Sequence, residues 1–82
     1  MSKQEDFIRQ VEAVLHRKIG VIIAGSILKN NLSKLNKSRD SLTKDDCKLF
    51  SNNIAASVAL FVTKDETMQI KAEMEGLLKA LD

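Results

Sequence analysis

The chain has 82 residues, 13 Lys and Arg against 11 Asp and Glu, a net charge of +2, 44% apolar and 29% charged content, three Gly, no Pro, Trp or Tyr, and one Cys. That length gives a single domain with a thin margin of stability, because so short a chain hides only ~60–65% of its unfolded surface on folding. Three Phe as the only aromatics leave no platform for stacking bases, and one Cys with one His builds neither an intrachain disulfide nor a structural zinc site.

Scarce Gly, absent Pro and abundant Leu, Ala, Lys and Glu favour helix over strand throughout. The opening Met-Ser-Lys-Gln-Glu-Asp places acids where a secretion signal needs positive charge and then an apolar stretch. Ser2 and Glu5 instead have the spacing of a capping box, so a first helix is expected from Lys3. From there Phe7, Val11, Val14, Lys18, Val21, Gly25, Leu28, Leu32 and Leu35 recur at alternating four- and three-residue steps. This stripe keeps its phase through Gly20, and no Ser, Thr, Asp or Asn between Gln10 and Gly25 offers a new cap. An interior Gly costs only ~1 kcal/mol. The expectation is therefore one helix over about 3–36, continuity being favoured over a break at Gly20.

The near-apolar run Ile19–Leu28 includes Gly20, Gly25 and Ser26 and is half the ~20 residues that span a bilayer, so it reads as core and no membrane partner is expected. Lys37–Leu42 is a loop with turn chemistry at Ser38, Asp40 and Ser41. Thr43, followed by Asp46, opens a helix expected over 44–62. Thr63 and Glu66 form what reads as the better capping box, with Val62 as a staple, and open a last helix over 64–81. The fold class is all-α, a small bundle of three to four helices in one domain covering residues 1–82.

Placed at 100° per residue, Val21, Ala24, Gly25, Leu28, Leu32 and Leu35 share one face, and Ile19, Ile23 and Ile27 form a second stripe nearly opposite. The third segment likewise has Cys47, Phe50, Ile54, Val58 and Phe61 on one side and Leu49, Ala56 and Leu60 on the other. Ile70, Met74, Leu77 and Leu81 make a single stripe on the last helix. A 33-residue helix of ~50 Å outruns the ~28 Å helices available to cover it. Two-sided stripes and a long first helix point to a homodimer, with Ile19, Ile23, Ile27, Leu49, Ala56 and Leu60 as the association surface. The alternative is a monomeric four-helix bundle broken at Gly20.

Chemistry is sparse. His16 has only Glu12 nearby as an orienting carboxylate, Cys47 continues an apolar stripe, and Asp40, Asp45 and Asp46 lack the spacing and central Gly of a calcium loop. With no phosphate loop, dinucleotide fingerprint or nucleophile elbow, neither an enzyme nor a cofactor nor a metal is expected. The remaining polar signal is asymmetric charge. Arg17, Lys18, Lys29, Lys34, Lys37 and Arg39 occur with no acid between Ala13 and Arg39, whereas residues 63–82 hold five acids against three Lys. The expected function is protein–protein association by a cytoplasmic module, with itself or an unidentified protein partner. The alternative is nucleic-acid contact through that basic set, although +2 is a small excess for it.

Overall fold

Gly20 stands at φ +85° and ψ 164°, a conformation that side chains with a Cβ rarely adopt. It ends one helix and starts the next with no residue to spare. The computed structural model describes residues 3–38 and 41–81, which contain helices α1 (Lys3–Ile19), α2 (Val21–Leu35), α3 (Lys44–Val58) and α4 (Lys64–Lys79). The expected continuous helix is thus two helices, and the reason is packing. Phe7, Ile8, Val11, Val14 and Leu15 of α1 are buried, as are Ala24, Ile27 and Leu28 of α2. On a straight helix those two faces would point roughly 150° apart at 100° per residue. Turning back at Gly20 brings both onto one core, where each large side chain contributes ~1.5–3 kcal/mol, far more than the helical bonds the break forgoes. The in-phase stripe reads the helical period correctly, and Ala24, Leu28, Leu32 and Leu35 of the expected face do meet the core, but the buried face of α2 is turned so that Ile27 comes in and Val21 is left 66% exposed.

Asn36 closes α2 in the left-handed conformation at φ 57°, its amide donating to Leu32 and Ser33 carbonyls, a role Asn fills with little penalty. In the loop that follows, the Ser38 amide donates to Ser41 Oγ at 2.9 Å, and Leu42 is buried as an anchor. At the start of α3, Thr43 Oγ1 accepts from the Asp46 amide at 3.1 Å while the Thr43 amide donates to Asp46 Oδ2 at 3.0 Å. This reciprocal box closes here, although the spacing suggests the Thr63 site as the better one. At α4 the Thr63 hydroxyl accepts from the Glu66 amide at 3.1 Å and donates to Glu66 Oε1 at 3.2 Å. The amide of Thr43, aided by its hydroxyl and by Lys37, holds the Asp46 carboxyl below the usual carboxylate range despite some desolvation. Ser2, the expected first cap, lies outside the described residues, as do Arg39 and Asp40.

Helix α3 ends at Val58, four residues before the expected end. Tighter turns follow, with the Leu60 amide donating to the Ser57 carbonyl at 3.2 Å and the Phe61 amide to the Val58 carbonyl at 2.9 Å. Phe61 thereby leaves the Phe50, Ile54, Val58 stripe and is 55% exposed.

The helices form a ring in which each packs on its two neighbours and α1 also touches α3 across the middle. Lys37 pairs with Asp46 across the α2–α3 loop, and Lys18 and Arg17 reach Gln69 and Glu73 respectively, so α2 and α3 run antiparallel, as do α1 and α4. The Gly20 break and the α3–α4 turn share one end of the ring. The core joins Phe7, Ile8, Leu15, Leu28, Phe50, Ile54, Ile70 and Met74, with Cys47 and Val58 also fully enclosed. The accessible surface of 5001 Å² matches the ~4,900 Å² expected for a folded monomer of this mass. Folding back removes the uncovered ~50 Å helix, so any case for a partner must rest on which residues remain outside.

Candidate association surface

Val21, Ile22 and Ile23 are three consecutive apolar residues in the first turn of α2, exposed by 66%, 85% and 38%. A helix directs successive side chains 100° apart, so a run of three cannot all face a core. Across from them, Leu60 is 83% exposed and Phe61 is 55% exposed in the α3–α4 turn. Ile22, Ile23, Leu60 and Phe61 line a groove of about 640 Å³ between α2 and α3, which continues past Ser26, Ile27 and Ser57 to Asn30, Asn31 and Lys34.

The expected association residues fall into three groups. Ile23 and Leu60 lie exposed in this groove, and Ile27 lies at its floor. Leu49 and Ala56 are exposed on α3 but outside its lining. Ile27 is buried, and Ile19 is partly buried and packed against the core, because the return at Gly20 carries that stripe inward. Sequence periodicity misses Val21, Ile22 and Phe61. The run of β-branched residues at 21–23 is the available signal for the first two, whereas Phe61 depends on where α3 stops.

The groove floor is polar at its centre. Asn31 is 1% exposed, and its Nδ2 donates to the Ile27 carbonyl at 2.8 Å and to Ser57 Oγ at 3.3 Å. Ser57 Oγ in turn donates to the Asn53 carbonyl at 3.0 Å. Asn31 Oδ1 is buried without a partner among the described residues, a cost of ~1–3 kcal/mol that tightly packed cores avoid.

Among the described residues, half of the expected basic set is taken up by partners within the chain. Arg17 Nη2 lies 3.2 Å from Glu73 Oε1, Lys18 Nζ donates to Gln69 Oε1 at 3.2 Å, and Lys37 Nζ lies 3.4 Å from Asp46 Oδ2. Lys29 and Lys34 are exposed, and Lys34 stands at the end of the groove. Arg39 lies outside the described residues.

Of the nucleophilic and titratable candidates, His16 Nε2 is 4.0 Å from Glu12 Oε2, a surface pair one turn apart. Cys47 is fully enclosed; burial and then the nearby Asp46 charge push its thiol up to about 11, which leaves almost no thiolate at neutral pH. Among the described residues no group of three or more His, Cys, Asp and Glu is placed to hold a metal ion, and no helix is long and apolar enough to cross a membrane. No family model matches the chain, no curated protein is similar to it, and no solved structure matches it.

Proposed function

We propose that the protein works by association, without catalysis, and that its partner is a second copy of the same chain docked at the Gly20 end of α2 and α3. The observation that carries this reading is the clustering of the exposed Ile22, Ile23, Leu60 and Phe61 about one groove, with the exposed Val21 beside them in the first turn of α2. The four groove residues leave on the order of 500 Å² of largely apolar surface in water, within the ~300–600 Å² range of the largest patch on a monomer. That area is more than half of the ~800 Å² that each partner contributes to a standard interface. A patch built from α2 and the α3–α4 turn is also self-complementary in kind. Ile22 and Leu60 project as knobs beside the groove that another copy's Ile22 and Leu60 would fill, the arrangement a two-fold interface requires. A cytoplasmic setting accords with the single free thiol.

Nucleic-acid contact is the weaker reading. Arg17, Lys18 and Lys37 are engaged within the chain, which among the described residues of that set leaves Lys29 and Lys34, and phosphate binding draws on several neighbouring charges.

The test is sedimentation equilibrium of the protein beside an Ile22→Glu/Leu60→Glu variant. Both positions are more than four-fifths exposed, so the variant keeps the parent's helix content and folded monomer, while its melting temperature loses the contribution of dimerisation. The parent is expected to dimerise at micromolar concentration and the variant to dissociate at least ~100-fold more readily, since each copy would then bury two unpaired charges. A parent that stays at 9.1 kDa throughout the concentration range refutes the reading, as does a variant that dimerises equally well.

A further inference from the structure

We infer that the two copies exchange α1: each chain opens at Gly20, α1 and α2 join as one helix, and α1 seats on the core of the other copy. The inference rests on the association reading and specifies how that dimer is built.

Four observations converge on it. First, the connection between α1 and α2 is one residue long, and its φ of +85° is tolerated by Gly and strained for others. Short hinges are a common origin of exchanged elements. Second, helical bonding runs up to the break from both sides. The Gly20 amide donates to the His16 carbonyl at 3.2 Å and the Ala24 amide to the Gly20 carbonyl at 3.1 Å. No side chain caps α2, so its first three amides have helical acceptors only if the helix is continuous.

Third, the buried faces of α1 and α2 point roughly 150° apart on a continuous helix. One chain cannot cover both, but two can, with α2 kept on its own α3 while α1 turns to the other copy. Fourth, the exposed Val21, Ile22 and Ile23 lie immediately after the hinge, where two exchanged helices pass each other. The exchange leaves every core contact of α1 intact and adds cover for those three residues. The small Gly25, one turn on and half-buried, lets the passing helices approach closely.

The experiment uses Arg17 and Glu73, whose side chains meet at 3.2 Å across the α1–α4 seam, well away from the α2–α3 groove. An Arg17→Cys/Glu73→Cys variant is treated with a short bis-maleimide and run on a denaturing gel. Cys47 is enclosed and stays unmodified. If α1 is exchanged, the link joins two chains and the band moves to twice the monomer mass. If α1 stays at home, the link lies within one chain and the band remains monomeric.

The companion variant is Gly20→Ala. A Cβ at that position meets nothing within 4 Å, so the substitution penalises only the backbone conformation of the closed hinge while favouring a continuous helix. It is expected to tighten the dimer at least ~100-fold, and a Gly-Ser-Gly insertion after Gly20 to loosen it. A dimer in which the two introduced thiols link only within each chain overturns the exchange and leaves association standing. Parent and Gly20→Ala proteins that are both monomeric overturn the two together.

Discussion

Phe50→Ala is expected to lower the unfolding free energy by about 3–5 kcal/mol, read from urea denaturation at neutral pH, because it empties the largest enclosed position of the ring. Phe50 is fully buried on α3, which touches all three other helices, so collapse around the void would have to move several elements at once. A domain of this size has only ~5–10 kcal/mol in total, so the variant stands close to unfolding at room temperature. Leu49→Ala, one residue away and 49% exposed, is expected to change stability by under ~1 kcal/mol. The contrast between adjacent positions tests the assignment of the two faces of α3. Equal costs at 49 and 50 would mean that the helix is rotated from the orientation described.

Asn31→Asp is the second large effect. The substitution removes the donor to the Ile27 carbonyl and Ser57 Oγ and sets a carboxylate where 1% of the residue is exposed. An unpaired buried charge of this kind costs ~3–5 kcal/mol. Burial raises the folded-state pKa of the introduced carboxyl above its unfolded value. The protonated form is therefore favoured on folding, and the deficit relative to the parent is largest at neutral pH and shrinks as pH falls through the folded-state pKa. Asn31→Leu removes the unpartnered Oδ1 together with the donor. The Ile27 carbonyl keeps its helical bond and Ser57 keeps the Asn53 carbonyl, so stability stays within ~1 kcal/mol of the parent. Thermal melts of both variants at neutral and mildly acidic pH check the sign as well as the size. An aspartate variant whose deficit does not narrow in acid would show that position 31 is open to water.

How much of this is legible in the sequence depends on the range of the forces involved. Capping is local, so Thr43 and Thr63 mark the starts of α3 and α4 to the residue, and the Ile70, Met74 stripe names the buried face of α4. The break at Gly20 is a contest between local and distant terms. Helix period and the lack of a cap favour continuity, while the gain from stacking Phe7–Leu15 and Ala24–Leu28 on one core is visible only once the other helices are placed. The same distant term turns Ile27 inward and leaves Val21 and Ile22 outside, reversing part of the expected surface. Ile23 is exposed because it lies at the edge of the buried face of α2, and Leu60 because it falls in the turn after α3. Phe61 departs from expectation for a different reason. α3 stops at Val58 through tight turns that carry no Gly, Pro or Asn signal in the sequence. The asymmetry of charge is plain in the sequence, but its use is internal, the basic end of α1 lying against Gln69 and Glu73 of α4.

If a second copy covers the apolar end formed by α2 and the α3–α4 turn, dilution must uncover it. Amide chemical shifts followed from millimolar to low micromolar protein report that change residue by residue. Concentration-dependent shifts concentrated at residues 20–27 and 57–62, with the middle of α4 unchanged, are the expected result. Spectra that superimpose at every dilution, or shifts centred elsewhere, would mean that no second copy docks at that end.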